Sequence, residues 1–338
     1  MRKPALLLLC LVFCCCKSRQ PNVAPRTDGK GGGSAAADGG MVRLSGKILG
    51  NDNPPSLFPV RIDSKFGYID KKGKLVIKAD FGGASRFSQG LAAVQLIKGG
   101  RVGYIDETGT LVIPTQFDLA DPFSEGYAAV MKARKWGYID RTGQIVIPIT
   151  FAAAELFSGG VAAVAQIQST SITTFFYINR NGEPLLDKQY QFDTAYPFGE
   201  GLAPVRSLGQ YFRYIDQSGK TVIQPKANET QYMSAGVFEE GLAPVNLHAS
   251  EGMRWGYLGK DGKLAIRAHF VSALSFSEGL AAVQMLDGKW GYINPKGSMI
   301  ITPKFDGALP FYNGMAEVQI GSTTGYIDPT GKYVWGPK

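Results

Sequence analysis

Residues 103–113 read GYIDETGTLVI, and a version of this stretch occurs eight times along the chain. Each copy is centred on a tyrosine, and successive tyrosines are 34–43 residues apart. The copies of this tyrosine strand lie at residues 67–70, 103–106, 137–140, 176–179, 213–216, 256–259, 291–294 and 325–328. Self-similarity at a nearly constant spacing is the signature of a repeat architecture, so one unit and its copies define the fold.

Each unit contains three predicted strands. The first is a run of small apolar residues such as LAAV at 91–94, the second is the tyrosine strand, and the third is LVI at 111–113. The second and third are joined by Asp-x-x-Gly, in which Asp106 can accept backbone hydrogen bonds and Gly109 can adopt a positive φ. This pattern is typical of a tight hairpin with a bulge. With residues 57–60 (LFPV) as a degenerate first copy, the sequence predicts an all-β fold of about eight three-stranded meander units.

The best-preserved copies place Lys-Trp or Arg-Trp before the Gly-Tyr pair. KWGYID at 135–140, KWGYIN at 289–294 and RWGY at 254–257 resemble the bacterial WG (KWG) repeat, and the resemblance extends over about residues 57–338. Several copies depart from the motif: Phe66, Val102, Phe175, Phe212 and Thr324 replace the Trp, and Phe176 and Arg213 replace the Gly. The resemblance implies a repeat module without a settled biochemical activity.

Two arrangements of the units are consistent with this pattern. Eight units suit a propeller-like ring, in which the small Ala-Ala-Val strand would fit a crowded central position. An open β-solenoid of stacked meanders is the alternative, since three strands are few for a propeller blade. Residues 42–49 could add a strand that closes a ring or caps a solenoid. We favour the ring.

The amino terminus has the pattern of a lipoprotein signal. Arg2 and Lys3 precede an apolar stretch at 5–13, which is too short to cross a bilayer as a helix but suits a signal peptide. The stretch runs directly into Cys14, Cys15 and Cys16. We expect lipidation of Cys14, with Cys15 or Cys16 as alternatives. Because Phe13 stands where such signals prefer a small residue, an ordinary secretory signal with incidental cysteines is the other interpretation.

A segment without apolar periodicity follows the signal. Residues 17–40 are rich in Gly, Pro, Ala and Ser, and cannot bury enough apolar surface to offset their ordering entropy. A flexible chain of this length spans about 25–30 Å, which suits a tether. We therefore divide the chain into a signal peptide with the lipidation cysteine at 1–16, a flexible linker at 17–40 and a WG-repeat β-domain at 41–338.

Composition excludes several kinds of site from the β-domain. All 4 Cys precede residue 17, so disulfides, thiolate zinc sites and cysteine nucleophiles are excluded there. The two histidines, His248 and His269, belong to no catalytic motif, and we predict neither a metal site nor a cofactor. The net charge of +8 is dispersed over turns. We therefore predict a solvated surface and no nucleic-acid partner.

The repeated carboxylates are interpreted as turn residues. Asn179, Asn294 and Gly259 stand where other copies have Asp, which a hairpin turn tolerates and a catalytic acid does not. A second set precedes the Gly of the first strand: Glu125, Glu200, Glu240 and Glu278. A glycan-active hydrolase using these groups is the enzymatic alternative, although Gln89, Gly159 and Asn313 occupy equivalent positions.

The tryptophans are the candidate binding residues. Trp136, Trp255 and Trp290 occur in only some copies, as a surface contact residue might, and a tolerant core position explains them equally well. Together these features predict a non-catalytic lipoprotein of the bacterial cell envelope, anchored to a membrane and extracytoplasmic. The expected partner is a protein or an envelope polysaccharide bound through repeat loops. A purely structural spacer is a further alternative.

Overall fold

The computed structural model describes residues 57–169, 172–186, 191–225, 230–249 and 252–336. Within these ranges the chain forms β-strands β1–β30 and no helix, so the all-β prediction is confirmed. The strands form eight small antiparallel sheets. The predicted signal peptide, the linker and the extra strand at 42–49 lie outside the described residues.

The first four sheets follow the chain in order. Sheet 1 contains β1 (Leu57–Ile62), β2 (Lys65–Asp70) and β3 (Leu75–Phe81); sheet 2 contains β4 (Gly83–Ala84), β5 (Leu91–Gln95), β6 (Val102–Asp106) and β7 (Leu111–Phe117). Sheet 3 contains β8 (Leu119–Ala120), β9 (Tyr127–Lys132), β10 (Lys135–Asp140) and β11 (Ile145–Phe151); sheet 4 contains β12 (Ala153–Ala154), β13 (Val161–Ser169) and β14 (Ile172–Asn179).

The second four sheets repeat the plan. Sheet 5 contains β15 (Thr194–Ala195), β16 (Ala203–Arg206), β17 (Arg213–Ile215) and β18 (Thr221–Ile223); sheet 6 contains β19 (Tyr232–Ala235), β20 (Leu242–Ala249), β21 (Gly252–Gly259) and β22 (Leu264–Phe270). Sheet 7 contains β23 (Ser272–Ala273), β24 (Ala281–Gln284), β25 (Trp290–Ile293) and β26 (Met299–Phe305); sheet 8 contains β27 (Gly307–Ala308), β28 (Ala316–Ile320), β29 (Thr323–Ile327) and β30 (Tyr333–Trp335).

The hydrophobic core lies between the sheets and closes them into a ring. Each core cluster combines residues of two consecutive sheets, as where Tyr104 packs with Phe123 and Val130. The series ends by joining sheet 8 to sheet 1, because Phe58 and Val60 share a cluster with Tyr326. The fold is therefore an eight-bladed β-propeller, and the predicted ring is confirmed. Each sheet is called a blade below.

Most blades contain one strand more than the three predicted. A two-residue strand such as β4 pairs with the strand that follows it, Gly83 with Gln95 and Ala84 with Val94. The sequence shows this stretch only as a connector, because two residues display no periodicity. We name the four positions inner, second, third and outer strand. Blade 1 has no inner strand and blade 4 no outer strand among the described residues.

Hydrogen bonds link the blades near the ring axis. In blades 2, 3 and 4, a serine that follows the inner strand donates its hydroxyl to the carbonyl of the equivalent phenylalanine in the next blade. The pairs are Ser88 to Phe123, Ser124 to Phe157 and Ser158 to Phe198. These side chains are buried, so the hydrogen bonds form away from water, where an unpaired hydroxyl would be costly.

The repeated tyrosines complete the contact between blades. Each phenol is buried and donates to a backbone carbonyl of the next blade, as from Tyr104 to Asp121 at 2.7 Å and from Tyr257 to Leu274 at 2.8 Å. The Tyr104 ring also lies 4.9 Å from the ring of Phe123. A buried tyrosine needs a partner for its hydroxyl, and this carbonyl explains why Tyr rather than Phe recurs.

The glycine before the tyrosine permits a close approach of the outer strand. A Cβ at Gly103 would lie 2.5 Å from the carbonyl oxygen of Ile113, and one at Gly291 would lie 2.5 Å from that of Ile301. Such contacts exclude a side chain. Phe176 replaces this Gly in blade 4, where the described residues form no outer strand, and Arg213 replaces it in blade 5, whose outer strand ends at Ile223.

The ring has two faces. One side, which we call the turn face, bears the turns between inner and second strands and the turns between third and outer strands. Two such turns are joined by an ion pair between Lys260 Nζ and Glu200 Oε2, which are 2.9 Å apart. The hairpin face bears the hairpins between second and third strands and the connections between blades. There the Ala133 amide donates to Asp118 Oδ2 at 2.7 Å.

Candidate functional site

The repetition is broken where blade 8 meets blade 1. The described residues give blade 1 no inner strand, and Tyr326 donates instead to the carbonyl of Pro59 in β1, at 2.8 Å. Phe58 stands where other second strands have Ala, and its ring lies 5.6 Å from that of Tyr326. Phe58 thus replaces the phenylalanine that an inner strand supplies at the other blade contacts.

Ionisable groups are buried at the same seam. Glu317 occupies another alanine position of the second strand, and Tyr326 Oη lies 3.3 Å from Glu317 Oε2. Burial raises the pKa of Glu317, while the Arg86 guanidinium and the Tyr326 hydroxyl oppose the rise. The Arg86 guanidinium also lies over the ring of Tyr312, 5.6 Å from its centre.

An open recess of about 1070 Å³ lies on the outer side of the seam. Outer strands β3, β7, β11, β22 and β26 each have seven residues, whereas β30 has three. The described part of blade 8 therefore covers little of its own third strand. The recess is lined by Arg61, Asp63, Gly73, Ser322, Thr323, Thr324, Tyr333, Val334, Trp335 and Gly336.

The chemistry of this seam recess suits ligand binding. It combines half-buried Tyr333 and Trp335 with hydroxyl groups and one charge of each sign. Aromatic surface with a few polar groups is the usual lining of a binding site. Trp335 is not among the tryptophans that the repeat motif selects. The signals that could have located this recess were Thr324 at a Trp position and Trp335 at an Ile position.

The three predicted tryptophans lie in different blades and do not form one site. Trp136, Trp255 and Trp290 are 4%, 8% and 3% exposed, and each packs in a core cluster between blades. In blades 3, 6 and 7 they pair across the sheet with Phe151, Phe270 and Phe305. Their burial indicates packing, and the binding role stays a prediction. The lipidation candidates Cys14, Cys15 and Cys16 lie outside the described residues.

The four glutamates of the enzymatic alternative bridge neighbouring blades. Glu125 accepts hydrogen bonds from the amides of Gly159 (2.7 Å) and Gly160 (2.9 Å) and from Arg180. Glu200, Glu240 and Glu278 accept from the amides of Gly241, Gly279 and Gly314 in turn. Burial raises the pKa of Glu200, but Lys260 and the Gly241 amide outweigh it and lower that pKa overall.

The repeated aspartates have the turn role expected of them. Asp140 Oδ1 accepts hydrogen bonds from the Thr142 hydroxyl and from the amides of Thr142 and Gln144. The bond from the Thr142 hydroxyl holds the pKa of Asp140 below its ordinary value. Asn179 makes the same two backbone contacts with its amide oxygen, as expected for a turn and not for a catalytic acid.

The remaining candidates do not form a reactive site in the described part of the chain. His248 and His269 are exposed on the second and outer strands of blade 6, and His269 Nδ1 lies 2.8 Å from the Arg267 carbonyl. No group of three or more His, Cys, Asp or Glu suited to hold a metal occurs among the residues described. No helix in those residues is long and apolar enough to span a membrane.

Comparison with known proteins agrees with this geometry. The model of the WG-containing repeat family matches residues 66–99, 103–136, 136–166, 175–211, 212–248, 255–290 and 290–323. The chain belongs to the WG-containing repeat family. Each match to this WG-repeat protein begins within or next to a third strand and extends into the next blade, so one sequence repeat spans parts of two blades. No curated protein matches the chain.

Solved structures share the fold of the WG-repeat protein. A computationally designed protein, Ika8, is 12% identical with a TM-score of 0.52, and the match covers 75% of this chain and 85% of that one. A eukaryotic initiation factor is 10% identical with a TM-score of 0.53, over 83% of this chain and 85% of that one. At such low identity these likenesses show the fold alone.

Proposed function

We propose that the WG-repeat protein is a non-catalytic lipoprotein of the bacterial cell envelope. It is held to a membrane by a lipidated cysteine, Cys14 or its neighbours Cys15 and Cys16, and it binds a protein partner or an envelope polysaccharide outside the cytoplasm. The observation that carries the binding role is the seam recess, where Trp335 and Tyr333 lie beside Arg61, Thr323 and Thr324.

The contacts of the glutamates support binding over catalysis. A glycoside hydrolase needs two carboxyl groups that converge on one bond. Glu200, Glu240 and Glu278 lie in successive blades, and each bonds the turn of the next. Changing Glu200 and Glu278 separately to Gln tests the alternative: loss of a hydrolytic activity while the fold remains intact would establish an enzyme.

Co-sedimentation with isolated cell-wall polymer, in a salt series, tests the recess. The chain with Cys14, Cys15 and Cys16 changed to Ser is compared with the same chain carrying Trp335→Ala. Val76→Ala, on the exposed outer strand of blade 1, is the matched control. A glycan bound in the recess stays bound at high salt, and Trp335→Ala weakens binding about tenfold while Val76→Ala does not.

A protein partner gives a different outcome. A photo-crosslinking residue at Thr324 then captures one protein in intact cells, whereas the same residue at Val76 does not, and the polymer is not bound. If neither polymer nor crosslinked protein depends on the recess, its assignment as the binding site is wrong.

A further inference from the structure

The four most exposed apolar side chains in the described part of the ring belong to hairpins on one face; three lie at the hairpin tips, and the fourth, Ile167, lies near the end of β13. Leu208 is 86% exposed, Ile97 72%, Leu286 66% and Ile167 59%. They belong to the hairpins between second and third strands in blades 5, 2, 7 and 4. Each tip stands alone around the ring rather than in one continuous patch.

Basic residues surround these tips. Lys98 and Arg101 lie in the hairpin of Ile97, and Arg206 and Arg213 flank that of Leu208. The hairpin of blade 3 has no aliphatic tip and reads Lys-Ala-Arg-Lys at residues 132–135. The described hairpins contain two acidic residues, Asp63 and Asp287. Asp118, Asp193 and Asp306 lie in the connections between blades, where Asp193 pairs with Arg206 and Asp306 with Lys289, and the basic residues of this face outnumber the acidic ones. The hairpin face is therefore positive as well as apolar.

The turn face differs in both respects. Its turns carry carboxylates such as Glu125 and Glu200 paired with Arg180 and Lys260, so its charge is of mixed sign. The exposed large apolar side chains next to its turns, such as Leu75 and Ile145 at the start of outer strands, are 41% and 56% exposed, less than the residues of the hairpin face named above. Other exposed aliphatics, such as Val76, lie on outer strands around the circumference.

We propose that the hairpin face lies against an anionic phospholipid bilayer. Single aliphatic side chains on separate tips suit a flat, deformable surface, into which each inserts between headgroups without needing a matching pocket. Lysine and arginine beside them are attracted to the negative charge of the headgroups. The charge complementarity and the spread of the tips favour a bilayer over a protein partner.

This proposal deepens the proposed function, because it rests on the location of the ring at a membrane. The lipid anchor and the linker hold the ring near the membrane without orienting it, and contacts of the hairpin face with lipid give it one orientation. A ring docked by its hairpin face directs the turn face away from the membrane. The seam recess, on the circumference, remains accessible to a ligand.

Fluorescent labels at chosen sites test which face meets lipid. In a chain with Cys10, Cys14, Cys15 and Cys16 changed to Ser, an environment-sensitive fluorophore is attached through Leu208→Cys or Ile97→Cys. Val76→Cys, at a side chain 51% exposed on an outer strand, is the control. Vesicles of phosphatidylglycerol should shift the emission of both hairpin labels to shorter wavelength and leave the control label unchanged. Vesicles of phosphatidylcholine should shift none of the three.

Two outcomes overturn the proposal: an equal shift of the control label, or no shift at the hairpins when the protein sediments with the vesicles.

A pair of double variants gives a second measure. Changing Ile97 and Leu208 to Ser should weaken partitioning onto phosphatidylglycerol about tenfold or more, and changing Val76 and Val112 to Ser should not. Failure of the proposed lipid anchor is distinguished by a high-salt wash of cell membranes: without the anchor the wild-type chain is washed off, even if the hairpin labels respond to vesicles.

Discussion

The ring of Phe58 lies 5.6 Å from the ring of Tyr326, at an interplanar angle of 62°. At the other blade contacts the equivalent tyrosine meets a phenylalanine that follows the inner strand, as Tyr68 meets Phe87 at 4.8 Å. In the part of blade 1 that the structure describes, which begins at Leu57, the second strand provides the ring instead. One substitution, Phe for Ala in the LAAV pattern, thus allows eight blades to close.

Phe58→Ala tests this closure. Phe58 is 1% exposed, and the truncation leaves a cavity that no inner-strand phenylalanine fills. The free energy of unfolding should fall by about 3–5 kcal/mol, measured by urea denaturation. Phe58→Leu keeps most of the volume and should cost clearly less. A change below about 0.5 kcal/mol for Phe58→Ala would show that the seam does not depend on this side chain.

Replacing a glutamate that bridges two blades should lower stability, and the loss should grow with the number of hydrogen bonds that the glutamate accepts. Glu125 accepts two amide bonds and one from Arg180, whereas Glu278 accepts one bond at an exposed site. We expect Glu125→Ala to cost about 2 kcal/mol and Glu278→Ala about 1 kcal/mol or less. Thermal and urea unfolding of both variants measure the difference. Equal costs would contradict a bridging role that depends on these bonds.

The turn role of the aspartates predicts a specific tolerance. Asp140→Asn should leave stability nearly unchanged, because Asn179 and Asn294 make the same backbone contacts in their own turns. Asp140→Ala removes the acceptor from two amides and should cost about 1 kcal/mol. Urea denaturation of the two variants checks the order. An Asp140→Asn variant as unstable as Asp140→Ala would mean that the negative charge itself is required.

Glu317 should make stability depend on pH. Burial raises its pKa in the folded protein above the ordinary value of 4.5, so the protonated form favours folding. Its contribution is fully present below the unfolded-state pKa and is lost as pH rises through the folded-state pKa. Glu317→Gln should therefore gain stability relative to wild type as pH increases through that interval, and match it most closely at lower pH.

Denaturation midpoints of both proteins across pH measure this difference. Glu317→Ala, which restores the residue found at Ala93 and Ala129, is the matched control and should show the same trend against wild type. A difference that does not change with pH would mean that Glu317 titrates alike in the folded and unfolded chains.

Sequence reasoning recovered the unit of this fold because its elements are long enough to show a pattern. Residues 103–113 display apolar strands around a turn whose Asp and Gly have distinct backbone roles. The inner strand was missed because two residues such as Gly83 and Ala84 carry no period. The number of units and the small residues of the Leu-Ala-Ala-Val strand predicted the ring. That strand is the second from the ring axis, however, and not the first as expected.

The candidate sites were less predictable. Trp136, Trp255 and Trp290 occur in only some of the repeats. That pattern fits a surface binding residue, and it fits equally well a core position at which other repeats have Phe or Val. The seam recess depends on which blades become neighbours when the ring closes, and residues 61–63 and 322–336 meet only then. Hairpin tips such as Leu208 are apolar residues in loops, and their common face becomes visible only in the assembled ring.

The most direct test of the proposed lipoprotein function is membrane fractionation of cells grown with a labelled fatty acid. One culture produces the wild-type chain, and the other produces the chain with Cys14, Cys15 and Cys16 changed together to Ser. The wild-type chain should carry the acyl label and sediment with membranes. The triple variant should lose the label and its stable attachment, since the hairpin face alone binds reversibly. An unlabelled wild-type chain, or a triple variant that stays membrane-bound as firmly as wild type after washing with high salt, would contradict the lipid anchor.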